Sequence, residues 1–181
     1  MAISIDNFNT PSPSKSHKIY YATQIFLRIL SIGTTLASAC LTLTNNQTVV
    51  VYGIQVDARY SYSPAFKFFA FANIVAFSLS VLSLILVLTM RTKAVKSHHH
   101  FFLFLHDLIL TILLMAGFAA WMAIAYVGKY GNSHTGWMPI CDHFGKFCNR
   151  GIVSGIIGFL GIVVYLILTI ISANKSRQIQ A

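Results

Sequence analysis

Two opposite charges lie deep inside apolar runs of this 181-residue chain: Arg28 within residues 19–43 and Asp107 within residues 101–127. A charged side chain at membrane depth costs at least about 2.5 kcal/mol unless it is neutralised or paired, so the two together predict an intramembrane ion pair. At a helical rise of about 1.5 Å per residue, Arg28 would lie roughly 13 Å and Asp107 roughly 9 Å from one membrane surface, an offset that two long side chains can bridge. Such a pair chiefly fixes which helix faces meet. A different chemistry can be drawn from the same residues. His106 beside Asp107 could begin a proton relay, which would make Arg28, His106 and Asp107 stations in a small transporter or channel subunit. Successive helical residues point about 100° apart, however, which argues against both facing one pore.

The other reactive residue types point away from catalysis. His134, Cys141, His143 and Cys148 fall in one stretch but lack the paired ligand spacing of a zinc site. The run His98-His99-His100 ends RTKAVKSHHH and reads as an interfacial basic segment. No nucleophile elbow, phosphate-binding glycine loop or HExxH motif is present. The expectation is therefore a non-enzyme without metal or cofactor. Cys141 and Cys148 share a loop that an oxidising compartment would let them bridge. Closing about eight residues in this way is worth roughly 2 to 3 kcal/mol in the chain-entropy model. Trp137, Phe144 and Phe147 beside them are suited to a membrane interface or a partner surface. Cys40, inside the first apolar run, is expected to remain a buried thiol, and Asn46-Gln47-Thr48 is a glycosylation sequon.

The elements that must position these residues are membrane spans. Hydrophobic residues make up 56% of the chain, charged residues only 9%, and glutamate is absent, too little charge to cover a soluble surface. The formal charge of +9 is spread over termini and loops, which suits anionic lipid headgroups and not nucleic acid. Residues 1–18 are polar and proline-containing and read as a disordered N-terminal segment. Apolar runs at 19–43, 65–90, 101–127 and 151–171 predict four spans, with a loop over 44–64 and a polar tail over 172–181. The first run is too long for a signal-peptide core and lacks a cleavage site, so it is read as a retained span. Lys15, Lys18, Arg91, Lys93, Lys96, Lys175 and Arg177 give the terminal side a modest basic surplus over Arg59, Lys67, Lys129, Lys146 and Arg150, a lean towards cytosolic termini. Small residues at Gly151, Gly155, Gly158 and Gly161, with Gly33 and Ala37 in the first run and Ala116 and Ala120 in the third, would let helix backbones approach closely, within one bundle or between copies.

Two strings and two single charges resemble a known family: QTVVVYGIQVDARYSYSPAFKFFAFAN leading into the second run, GWMPICDHFGKFCNR before the fourth, the arginine of the first run and the aspartate of the third. From Arg28 onward the chain is similar to the Casparian strip membrane domain protein-like (CASP-like) family of land plants, most of all to its first subgroup, a four-span group related to the MARVEL proteins. The resemblance implies an all-α four-helix transmembrane bundle in the plasma membrane with both termini in the cytosol. It also implies homo-oligomers, hetero-oligomers with related four-span proteins, and a platform role in recruiting other proteins, cell-wall modifying machinery among them.

Overall fold

The computed structural model describes residues 13–92 and 98–180. The N-terminal segment up to residue 12 and residues 93–97 of the basic run lie outside the described residues. Four helices make up most of the protein: α1 (Pro13–Leu43), α2 (Pro64–Thr92), α3 (His98–Tyr130) and α4 (Gly145–Gln180). Each contains a stretch long and apolar enough to cross a bilayer, namely Lys18–Leu43, Pro64–Thr89, Phe101–Tyr130 and Gly145–Arg177. The helices outrun the apolar stretches because hydropathy ends where the membrane ends, whereas Lys, Arg and Gln continue a helix readily. Thus α4 starts before residue 151 and runs on through most of the polar tail. At the other terminus α1 begins at Pro13, inside the segment expected to be irregular. Proline suits a first helical turn, where its missing N–H has no partner to lose.

The helices form a four-cornered up-and-down bundle in which α1 and α3 each pack against both α2 and α4. Their buried positions follow one rule. Helix α1 buries Gln24, Arg28, Ser31, Thr35, Ser38 and Thr42, and α3 buries Leu103, Asp107, Leu110, Leu114 and Trp121. Steps of four and three residues make the 3.5-residue repeat of left-handed helix packing. An apolar layer of Ala72, Ala76, Leu110, Leu114, Tyr165 and Leu168 fills the middle, and Tyr21, Val87 and Leu103 close the end nearer the termini.

The four α4 glycines singled out by spacing each face groups of this same chain. A Cβ at position 155 would overlap the Trp121 ring, one at 158 would stand 2.7 Å from Phe69, and one at 161 would stand 3.2 Å from the Thr34 hydroxyl. Gly151 faces the Asn45 amide more loosely, at 3.7 Å. Not every small residue singled out by spacing is used this way. Gly33 meets nothing within 4 Å and Ala116 points outward, and the close approach on α3 falls instead to Gly117, against Ala72. Cys40 is likewise exposed and not the buried thiol expected, because it lies midway between the buried positions 38 and 42 and so on the opposite face.

The stretch 44–64, expected as a loop in an all-α protein, contains an antiparallel hairpin, β1 (Asn46–Val51) and β2 (Ile54–Arg59), followed by a 3-10 turn over Tyr60–Tyr62. Its strands are rich in valine, and the Tyr52-Gly53 turn has positive φ at both residues (51° and 80°), the backbone that matches the twist of a two-residue hairpin. Apolar content without helical periodicity was the available signal. The first loop rests on the start of α4: Phe147 N–H donates to Gln47 Oε1 at 2.7 Å, Asn45 Nδ2 donates to the Phe147 carbonyl at 2.9 Å, and Arg150 donates to the Thr44 carbonyl at 3.2 Å. Gln47 thereby satisfies an N–H in the first turn of α4, which has no partner inside its own helix. Cys141 and Cys148 are disulfide-bonded, which ties the loop to the same turn. Phe144 inside that ring is buried, whereas Trp137 is 60% exposed.

Candidate functional site

Asp107 and Arg28 meet in the bundle interior, both with no exposed surface. Arg28 donates two parallel hydrogen bonds, Nη1 to Asp107 Oδ1 at 3.0 Å and Nη2 to Oδ2 at 2.9 Å. This fork geometry is the strongest way a guanidinium can hold a carboxylate. The other two helices complete the arrangement. From α2, Ser83 accepts from Arg28 Nη1 at 2.7 Å and donates to the Ser80 carbonyl. From α4, Ser172 donates to Asp107 Oδ2 at 3.1 Å and accepts from Gln24 of α1 at 3.2 Å. A second tier lies beside it: Tyr165 of α4 bonds Ser80 and donates to the Ala76 carbonyl of α2, and Thr111 sits 3.2 Å from Thr169. All four helices therefore contribute to one charged cluster.

His106 does reach the pair, with Nδ1 3.1 Å from Asp107 Oδ1, although the two residues diverge as neighbours on a helix must: the His106 side chain is 21% exposed and that of Asp107 is fully buried. Three polar atoms around the cluster, Arg28 Nε, Gln24 Oε1 and His106 Nε2, have no hydrogen-bond partner.

Nearer the hairpin, α1 and α4 are joined by a reciprocal clasp. Ser38 donates to the Ser154 carbonyl at 3.1 Å, Ser154 donates to the Ser38 carbonyl at 2.9 Å, and Thr42 lies 2.6 Å from the Ser154 hydroxyl. Elsewhere on α1 the hydroxyls turn back on their own helix, Ser31 to the Arg28 carbonyl and Thr35 to the Ser31 carbonyl. This back-bonding satisfies a buried hydroxyl without water.

The sequence singles out Arg28 and Asp107 by their charge, but the polar seam that carries them was not recognised there. Gln24, Arg28, Ser31, Thr35, Ser38, Thr42 and Asn45 recur at steps of four and three down the whole of the first apolar run. That spacing was legible, and it is the signal that would also have found Ser80 and Ser83 on α2. Asn46 stands exposed at the first position of β1. Among the described residues no group of histidine, cysteine and acidic side chains is placed to hold a metal ion.

The Casparian strip membrane protein domain matches residues 18–164. A CASP-like protein 1F2 of Populus trichocarpa is 51% identical over 168 residues, covering 93% of each chain. A CASP-like protein 1F1 of the same species is 48% identical over 174 residues, covering 96% of each, and one of Arabidopsis thaliana is 36% identical over 156 residues, covering 86% of this chain and 89% of its own. No solved structure matches the chain. With four membrane-spanning helices, a domain match over most of its length and relatives that align nearly end to end, the chain belongs to the CASP-like family of multi-pass membrane proteins, which are structural and not enzymatic.

Proposed function

We propose that this protein is a plasma-membrane scaffold, assembling laterally with its own copies and with related four-span proteins to form a platform for other proteins, cell-wall modifying machinery included. The observation that carries this reading is that the polar seam is packed shut. Arg28, Ser31, Ser38, Asn73, Ser80 and Asp107 are all 0% exposed, and the hydrogen bonds they make run to one another, to neighbouring side chains or to helix backbone. A conduction path needs polar groups facing water, whereas this seam faces only protein. The transporter reading draws its support from His106, whose Nδ1 reaches Asp107 while its Nε2 is unpartnered, and from the unpartnered Arg28 Nε and Gln24 Oε1.

With the interior closed, the working surfaces are the outer helix faces and the loop cap. Ala116, Ala119 and Ala123 make a small-residue strip on the exposed face of α3, where another helix can approach closely. We place the hairpin and the disulfide loop outside the cell and both termini in the cytosol, supported by the Cys141–Cys148 bridge and by the basic surplus on the terminal side. Single introduced cysteines at positions 12 and 133 test this in intact cells. An impermeant reagent should modify the Ser133→Cys protein and not the Ser12→Cys protein, and the reverse pattern would invert the topology.

For the scaffold itself, the purified protein in lipid nanodiscs should form homo-oligomers that Ala119→Leu with Ala123→Leu disperses without unfolding the protomer. A strictly monomeric protein that passes ions or solute across reconstituted vesicles, and loses that flux in Asp107→Asn, would replace the scaffold with the transporter.

A further inference from the structure

Past the end of α3 at Tyr130 the chain makes a tight turn over residues 132–137. Asn132 N–H donates to the Trp137 carbonyl at 2.8 Å, and Trp137 N–H donates to the Asn132 carbonyl at 3.0 Å. The tip of this turn, Ser133-His134-Thr135, is polar and exposed. From Trp137 the chain comes back along the helix. The N–H groups of Ile140 and Cys141 both donate to the Gly128 carbonyl, at 2.8 and 3.2 Å, which satisfies an acceptor that the helix end leaves open. Gly128 precedes the end of α3 by only about 3 Å along the axis and belongs to the apolar stretch Phe101–Tyr130. Ile140 is thereby held level with the last turn of a membrane span.

The returning segment, Trp137-Met138-Pro139-Ile140, carries no charge, and three of its side chains stand outward: Trp137 is 60% exposed, Met138 85% and Ile140 52%. Adjoining apolar side chains left this open mark a contact surface. Its height on the bundle says what it meets. Tyr126 and Tyr130, both exposed, stack a turn apart at the same end of α3, and Lys129 holds its ammonium 5.3 Å from the Tyr130 ring centre. Aromatic rings with a polar tip, beside a lysine that can reach for headgroups, are the side chains of a membrane–water boundary. The exposed apolar face of α3, Ile112, Met115 and Met122, runs up to this level from below. Polar character resumes on either side of the segment, at the tip of the turn and at the exposed Asp142.

We propose that residues 137–140 are a membrane-surface anchor. Met138 and Ile140 enter the boundary between headgroups and acyl chains of the adjoining leaflet, and the Trp137 indole lies among the headgroups. The occupant is the bilayer surface itself, because a protein partner at this height would first have to displace the lipid around the end of α3. A zwitterionic lipid suffices, since the segment offers no charge to an anionic one. Through the Cys141–Cys148 bridge the anchor holds the start of α4 at the same depth. This requires neither the scaffold role nor a particular orientation of the bundle.

The test uses the full chain in phosphatidylcholine nanodiscs at one protomer per disc, with Cys40→Ser so that an introduced cysteine is the only reactive thiol. An environment-sensitive fluorophore is placed at position 138 through Met138→Cys, or at the polar tip through Ser133→Cys. At an interfacial depth of about 5 to 10 Å, the fluorophore at 138 should be quenched by phosphatidylcholine spin-labelled near its headgroup, and at least about threefold less by aqueous iodide than the one at 133. The native tryptophans give a second reading with no added apolar group. The chain has two, and Trp121 is only 6% exposed inside the bundle. Brominated phosphatidylcholine should therefore quench the emission of the wild type and leave that of Trp137→Phe largely unchanged. Equal iodide quenching at 138 and 133, with no effect of the spin-labelled lipid, would overturn the proposal. So would shielding of position 138 that appears only with two or more protomers per disc, which would make the segment a contact between copies.

Discussion

Replacing Asp107 by leucine leaves the Arg28 guanidinium at a site without exposure, keeping only the Ser83 hydroxyl among its side-chain partners. The change removes two charge-assisted hydrogen bonds, at 2.9 and 3.0 Å, each worth about 1.5 to 3 kcal/mol. The remaining charge keeps its desolvation cost with nothing to offset it, so Asp107→Leu and Arg28→Leu should each destabilise the bundle by about 3 to 5 kcal/mol. Removing both charges behaves differently, because the desolvation cost goes with them. Ser83 keeps its bond to the Ser80 carbonyl and Ser172 keeps the Gln24 amide, so the double variant strands no charge. It should therefore lie within about 2 kcal/mol of the wild type, far short of the roughly 6 to 10 kcal/mol that two independent losses would give. The charge swap Arg28→Asp with Asp107→Arg should recover part of the single losses, since Ser83 and Ser172 can each donate or accept. The measurement is reversible unfolding in mixed micelles, with the yield of monodisperse protein as a coarser guide. A double variant as unstable as the sum of the singles would show that the two residues act independently and that the cluster does not hold the four helices in register.

Breaking the bridge with Cys141→Ser should lower stability by about 2.5 kcal/mol, from closure of about eight residues, and alkylation of the unreduced, denatured wild type should modify Cys40 alone. Modification of all three cysteines would exclude the bridge. Gly155→Leu drives a side chain into the Trp121 ring and should destabilise the protomer by at least about 1 to 3 kcal/mol, so its yield of folded monomer should fall. A folded monomer at normal yield that merely fails to associate would instead put Gly155 between protomers. At the hairpin, the Tyr62 hydroxyl and then the Arg59 guanidinium hold the Asp57 carboxyl below its usual value of 3.8. A lowered folded value means that the stabilisation is present above the ordinary carboxylate range and is lost as pH falls through it. Tyr62 and Arg59 resonances should therefore be constant from neutral pH to about pH 5 and shift only below it, and a transition at about pH 6 would assign the contact to another group.

Four spans were legible because about 20 apolar residues in a row suit the hydrocarbon core of a bilayer and little else. Arg28 and Asp107 were legible for the converse reason, as charges where charges are costly. What escaped was periodicity inside an apolar run. The seam from Gln24 to Asn45 uses serines and threonines, which hydropathy averages into their neighbours, and only their four-three spacing distinguishes an inward face. For the same reason spacing could not tell that Gly33 and Ala116 face outward while Gly117 packs within the bundle. A gap of four residues is shared by every face of a helix, so small-residue spacing alone says nothing of direction. The hairpin escaped on different grounds. NQTVVV and IQVDAR are short strands that bury no complete face, and Tyr52-Gly53 is an uncommon pairing for a turn with positive φ at both residues, so valine content without helical periodicity was the available cue.

The polar interior follows from the medium. In lipid no hydrophobic force presses helices together, so specificity must come from close packing and hydrogen bonding. The two ends of this bundle divide that work. Towards the termini the Arg28–Asp107 fork draws on all four helices, and its rigid geometry selects one rotation for each. Towards the hairpin the Ser38–Ser154 clasp and the Gly155–Trp121 contact bring α4 against α1 and α3. Beyond them the Gln47, Asn45 and Cys141–Cys148 links fasten the two loops over the helix ends. Beneath that roof the packing loosens, because the loop bridges the helix ends without filling the space between them and leaves an apolar cavity. With the polar seam turned inward on all four helices, the surfaces left to meet other molecules are the outer helix faces and the loop cap, which is why oligomeric state in lipid is the property to measure.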